Sequence, residues 1–399
     1  MRASHVIRAR PGSAILSCVL LIGLALPGCG SSHGPAAAGT PAATPTTTPS
    51  VTPGRPRIPA PPPGGPVPAG FTATSVTFVS AQEAFVLGTA PCSHAPCTSI
   101  VRTLDRGASW RGLPAPAVPL SSPGGTGVWG IRFATPEHGF VFGDGLWETT
   151  DGGQHWTSAA YPGVPVLSLA VVDGQVLALT ATCTAQGGCA ESGTLLRRPL
   201  AGGAWTQVTQ VPAAGITDPT DMIATQAGVA AVLDGSEVAV TSNGGVTITR
   251  HPTPCGTTTM MRGVSVAVIA PYGLALLCTG QGYTGHTVKT VYTSGNLGAT
   301  WIKAGMPGSA GDGGTIAAAS PAQLVIATAS AASWLCYSGD GAAQWQTVRT
   351  EPDGGQGWAD LGFTTASDGV VIHGPASKGF AGQLMLTQDG GLTWRQVSF

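Results

Sequence analysis

The chain is 399 residues long and contains nine cysteines, and thiols a few residues apart either bridge one another or hold a metal ion. Cys92-Ser93-His94-Ala95-Pro96-Cys97 and Cys183-Thr184-Ala185-Gln186-Gly187-Gly188-Cys189 each place two thiols within one short segment. A local disulfide is expected at both. Cys92, His94 and Cys97 also have the donor types of a metal site, but no fourth ligand accompanies them. Cys255 and Cys278 form a third candidate pair, which leaves Cys336, in Trp334-Leu335-Cys336-Tyr337, as a core thiol. Glycoside hydrolysis would need two carboxylates about 5 to 9.5 Å apart across a sugar ring. Glu83, Glu137, Asp144, Asp173, Asp221, Asp234, Asp360 and Asp368 are available, but most flank predicted turns and no spacing pairs two of them. No nucleophilic triad, phosphate loop or His-Glu-x-x-His stands out. No catalytic residue, metal or cofactor is assigned.

These residues are set on a repeat. A turn of the form Ser/Thr-x-Asp/Asn-x-Gly-x-x-Trp occurs complete at Asp105, Gly107 and Trp110, at Asp151, Gly153 and Trp156, at Asn296, Gly298 and Trp301, and at Asp389, Gly391 and Trp394. Degenerate copies fill the gaps. Ala201-Gly202-Gly203-Ala204-Trp205 lacks the acid, Asn243-Gly244-Gly245 closes on Ile248, and Asp340-Gly341 precedes Trp345 with its glycine shifted by one. The closing positions recur every 43 to 53 residues. The acid or amide is placed to accept backbone N–H groups of its own turn, the glycine supplies a positive φ, and the tryptophan covers the hairpin.

Apolar segments recur around each turn in fixed order, as in Ser75-Val76-Thr77-Phe78-Val79, Ala84-Phe85-Val86-Leu87-Gly88 and Leu146-Trp147-Glu148-Thr149-Thr150. The order is strand 1, strand 2, strand 3, turn, strand 4, which predicts seven four-stranded antiparallel blades in an all-β propeller over 71–399. The first unit opens on strand 1 and the last ends on strand 4, so closure must rest on packing between blades 1 and 7. Composition agrees: 9% charged residues, 59 glycines and 33 prolines suit turns rather than helices. The loops between strands 2 and 3 share one face with the blade-to-blade connections. That face carries the cysteine pairs and Gly280-Gln281-Gly282-Tyr283-Thr284-Gly285-His286, which makes Tyr283 and His286 candidate contact residues. Arg132, on an inner strand, is a candidate at the central channel, either for a ligand or for a buried carboxylate. Trp147 and Trp334 are expected in the core.

Thr149-Thr150-Asp151-Gly152-Gly153-Gln154-His155-Trp156 and Thr387-Gln388-Asp389-Gly390-Gly391-Leu392-Thr393-Trp394, with Ile131-Arg132-Phe133 and His138-Gly139-Phe140 ahead of the first, resemble the Asp-box or bacterial neuraminidase repeat. The likeness covers essentially 71–399, and it is similar above all to propellers of the photosystem II stability and assembly factor type. Sialidases and sortilin-type receptors share the repeat, so it implies the fold and leaves function open. The sialidase branch would imply an arginine triad, a Tyr-Glu pair and an Asp acid. The Arg-Ile-Pro of that family occurs here only as Arg57-Ile58-Pro59, in a proline-rich stretch, while Arg106, Arg111 and Arg395 adjoin the recurring turns, on the face opposite the catalytic one of that family.

The N-terminus reads as an export signal. Arg2, Arg8 and Arg10 precede an apolar run over 14–26, too short to span a bilayer at roughly 20 residues. Leu26-Pro27-Gly28-Cys29 then resembles a bacterial lipobox, departing from it at Pro27, and implies diacylation of Cys29. Residues 1–28 are thus a signal, and 29–70 a Pro/Thr/Ala linker, extended because it has little apolar surface to bury. Its Thr44-Pro45-Thr46-Thr47-Thr48-Pro49 run is either plain linker or glycosylated. The expectation is a monomeric, extracytoplasmic, lipid-anchored lipoprotein whose propeller is a non-enzymatic scaffold for an envelope protein or glycan. A sialidase-like glycoside hydrolase is the alternative. A net charge of -1 gives no attraction to nucleic acid, and membrane contact is expected through the anchor alone.

Overall fold

The computed structural model describes residues 64–399, apart from 94–96, 161–162, 185–188, 190–191, 213–222, 227, 235, 256–262, 284, 309 and 353. The signal segment, Cys29, the Thr-rich run, Arg57-Ile58-Pro59, His94, Asp221 and Thr284 therefore lie outside the described residues. The described chain forms seven four-stranded antiparallel sheets, each an uncrossed meander from the innermost strand to the outermost, arranged as a seven-bladed β-propeller. One turn of 3-10 helix, Ala376–Lys378, is the only helical element among the described residues.

Period-two alternation builds the core at the joints between blades. In Ala84–Thr89, the second strand of blade 1, Phe85 and Leu87 pack with Val128, Ile131 and Val141 of blade 2. Val86 faces the other way, onto Val370, Ile372 and Leu384 of blade 7. Both faces are buried, so the second strands read as continuous apolar runs. Each of the seven joints has its own apolar cluster. Trp147 and Trp334 are half-buried against two of them.

Six of the recurring turns share one hydrogen-bond pattern. In the first, Thr103 Oγ1 accepts from Gly107 N at 2.9 Å and donates to Asp105 Oδ1 at 2.8 Å, while Asp105 Oδ1 accepts from Ser109 N at 2.8 Å. Asp151, Asn243, Asn296, Asp340 and Asp389 accept equivalent backbone bonds. The glycines at 107, 153, 245, 298 and 391 all have positive φ, and the first packs so tightly that a Cβ would stand 2.6 Å from Leu386. The sixth turn corrects the shifted-glycine reading of the sequence. Ala342, with φ 77°, occupies the glycine position and donates its N–H to Ser338 Oγ at 2.9 Å, so the register is intact and only the residue type has changed. Trp156, Trp205 and Trp301 each donate the indole N–H to the preceding blade, at Pro114, Ala160 and Pro252. The tryptophan thus links blades as well as covering its hairpin.

Ring closure uses no exchanged strand: blade 1 begins with Thr72–Phe78 and blade 7 ends with Arg395–Gln396. Besides apolar packing, Ala73 N donates to Gly382 O at 2.9 Å. Gly64–Gly70, read from the sequence as the end of the linker, lie against blade 1, where Gly65 pairs antiparallel with Gly112 on the outer edge.

Candidate functional site

An uncrossed antiparallel meander puts every strand 2 to strand 3 loop and every blade-to-blade connection on the same face, opposite the recurring turns. All three disulfides lie there. Cys92–Cys97 closes the loop after Ala84–Thr89, Cys183–Cys189 closes the corresponding loop of blade 3, and Cys255–Cys278 ties the connection entering blade 5 to that blade's second strand. Bonded to each other, Cys92 and Cys97 offer no thiolate for the metal alternative. Among the described residues, no group of three metal-ligating side chains occurs. Cys336 is a free, buried thiol, and burial pushes its pKa up.

The long hairpin of blade 5, Gly273–Tyr283 and His286–Ser294, leans onto blade 6. Ser330 Oγ donates to Gly285 O at 3.0 Å, and His286 bridges Gly311. Beneath them Lys289 is 1% exposed, its Nζ donating to Ala310 O at 2.9 Å and Gly311 O at 2.7 Å. Burial pulls its pKa down to about 8. His286 is exposed on this face. Tyr283 pairs with it through the backbone.

The innermost strands enclose a channel cavity of about 250 Å³, lined by Val76, Arg132, Ile223, Ser265, Ile316 and Asp360 among others. A strand facing a channel has unpaired N–H groups on that side, and the preceding blade supplies acceptors for them. Ser75 Oγ accepts from Ile131 N at 3.2 Å, and Ser265 Oγ accepts from Ile316 N at 3.1 Å. Register alignment places Asp360 at the equivalent position in blade 7, where Oδ2 accepts from Val76 N of blade 1 at 2.7 Å. Asp360 Oδ1 accepts from Arg132 of blade 2 at 2.8 Å, and their side chains are 4% and 21% exposed. One carboxylate thus joins three blades. Arg132 also donates to Ser75 Oγ and Ile131 O, so its role is to neutralise and hold Asp360.

The other carboxylates lie apart. Glu83 is paired with Arg102, and burial raises its pKa although Arg102 opposes the rise. Asp144 and Asp173 are exposed. Asp368 lies on the recurring-turn side of the closure, 3.6 Å from Arg106. Glu148, unremarked in the sequence, binds His138 at 2.6 Å and the buried Arg198 of blade 3 at 2.7 Å. Asp360 is the one carboxylate on the channel wall among the described residues, so no facing pair with the hydrolytic separation is formed there.

No family model matches the chain, and no curated protein matches it. Among solved structures, it is similar to YCF48 bound to D1 peptide, at 17% identity and a TM-score of 0.49, with 82% of this chain and 93% of that one covered. YCF48 from Cyanidioschyzon merolae is similar at 16% identity and a TM-score of 0.49, covering 82% of this chain and 95% of that one.

Proposed function

We propose that this protein is a lipid-anchored envelope scaffold that holds a protein partner on its disulfide-braced face. The observation that carries the reading is an asymmetry. Three disulfides and the Lys289 latch stiffen the loops of one face, whereas the ionic groups of the channel are consumed in binding one another. Stiff loops lose less entropy on association. The loop face also exposes Phe380, 40% accessible, beside Lys378, and apolar and cationic groups together suit a polypeptide surface. In this reading Cys29 carries the lipid, and the residues up to about 63 give the propeller its reach from the membrane.

The test is site-specific photocrosslinking in cells. Photoreactive side chains at Ser93, Gln281 and Phe380 on the loop face should give discrete protein adducts, while Leu104 and Val246 on the recurring-turn face should give none. Adducts confined to the turn face, or glycan turnover by the purified protein without any adduct, would reject the scaffold reading. Cys29→Ala should release the protein from the membrane fraction.

A further inference from the structure

The strand 2 to strand 3 loop of blade 7, between Gly369–His373 and Gln383–Thr387, crosses the loop-face rim of the channel where blades 7, 1 and 2 meet. Beneath it lies a pocket of about 20 Å³, lined by Thr74, Trp129, Asp360, Ser377 and Lys378 among others. Its walls are held in place. Ser377 N donates to Thr74 Oγ1 of blade 1 at 3.0 Å, and Gly374 N donates to Gly357 O at 2.9 Å. Gly382 N closes the base of the loop by donating to Gly374 O at 2.7 Å.

One group of this lining is unsatisfied. Trp129 is 1% exposed, and its indole N–H has no acceptor. A buried donor left in this way is costly, and native structures keep few of them. Trp358 gives the contrast. It stands near the start of the innermost strand of blade 7, as Trp129 does in blade 2, yet its N–H reaches Thr328 O at 3.1 Å. Asp360 lies in the same wall as Trp129, but its Oδ2 is taken by Val76 N and its Oδ1 by Arg132. The rest of the polar lining brings donors, the hydroxyl of Ser377 and the exposed ammonium of Lys378. An orphaned N–H beside a cation suits an anionic acceptor. The volume sets its size: a water needs about 10 to 15 Å³, so the space takes one or two oxygens and no ring.

We propose that this pocket takes the carboxylate of an aspartate or glutamate side chain on the protein partner, with the Trp129 N–H and Lys378 as its donors. The inference rests on the scaffold reading and names the residue type that the partner presents. Phe380, 40% exposed and two residues beyond Lys378, meets an apolar neighbour of that residue.

Acetate is the probe, followed by NMR on the purified full chain carrying isotope-labelled tryptophan. At constant ionic strength set with chloride, acetate should move the Trp129 indole N–H signal, identified by its loss in Trp129→Phe, and the shift should saturate. Acetamide, the neutral isostere, should bind at least about fivefold more weakly. Lys378→Gln, at an exposed position, should weaken acetate by about two- to fivefold. In cells, Lys378→Glu should abolish the photocrosslinked adduct at Phe380 and leave those at Ser93 and Gln281. An indole signal that answers acetamide as well as acetate overturns the proposal, and so does a Phe380 adduct that survives Lys378→Glu. A signal that ignores acetate, with adducts still formed at Ser93 and Gln281, removes the pocket and spares the scaffold. A saturating shift with no adduct anywhere on the loop face does the reverse.

Discussion

Replacing Asp360 should weaken the propeller more than any comparable change at the other joints of the channel wall. Asp360→Ala leaves Val76 N–H without its 2.7 Å acceptor and Arg132 without its counter-ion, in a wall where the carboxylate is 4% exposed. Breaking a buried pair by removing one partner costs about 3 to 5 kcal/mol. Arg132 retains partial solvent contact and three other acceptors, so the lower end, about 3 kcal/mol, applies. Asp360 also has φ 50°, a conformation in which Ala is worse than Asp by up to about 1 kcal/mol. A body of this length unfolds with an entropy of about 0.7 kcal/mol/K, so the expected fall in melting temperature is about 4 to 6 °C. Ser265→Ala removes the same bond at the joint of blades 5 and 6 but only a neutral acceptor, for about 1 kcal/mol and about 1 to 2 °C. Asp360→Asn keeps an acceptor and tolerates the backbone, and should fall between them. Thermal unfolding at one scan rate, with disulfides intact, gives the ranking. Equal losses for Asp360→Ala and Ser265→Ala would refute the view that the closure relies on a charge.

The turn carboxylates predict acid sensitivity. At Asp105, Asp151 and Asp389 burial raises the pKa, but the hydrogen bonds of the turn together outweigh it and leave the value low; at Asp340 the bond from Gln344 N leads. Depressed values stabilise the fold above the ordinary carboxylate range and lose that contribution as pH falls through the folded-state values, so a pH titration of stability should flatten below about pH 4 when Asp105 and Asp389 are both changed to Asn. Lys289 has the opposite placement: with a folded value of about 8 the unfolded chain binds more protons between that pH and about 10.4, so stability should rise across that window and Lys289→Met should remove the rise. For the disulfides, loop-closure entropy predicts that replacing Cys255 and Cys278 by Ala costs about 3.5 kcal/mol, against about 2 kcal/mol for Cys92 and Cys97, because 23 rather than 5 positions separate the pair. Denaturant unfolding of the two double variants should show that order, and a larger loss at Cys92 and Cys97 would contradict it.

The fold was legible because its signal is local. Each turn closes hydrogen bonds within five residues, such as Ser109 N to Asp105 Oδ1, so its spacing survives in the sequence. The cysteine pairs were legible for a related reason, since strand order alone brings the loops that hold them to one face. The sixth turn reads from the sequence as a shifted glycine, whereas the turn requires the N–H at that position, which Ala342 also supplies at φ 77°. Asp360 was visible as a residue but not as a partner. Its two ligands lie 284 and 228 positions away, a pairing that only the closed ring defines.

The closure explains why a carboxylate stands where blades 1 and 5 use serine. At every other joint the two blades are consecutive in sequence, so the chain itself holds them close, and a neutral hydroxyl bond serves at Ser75 and Ser265. Blades 7 and 1 have no such connection, and bringing them together costs the loop entropy of the whole domain. A charge-assisted bond is roughly twice as strong as a neutral one, but a lone carboxylate in that wall would carry a large desolvation cost. Arg132 removes that cost from blade 2, one joint further on, so the ion pair can form only after blades 7, 1 and 2 are all in place. The carboxylate that Asp360 contributes to the channel wall is thereby committed to closing the ring.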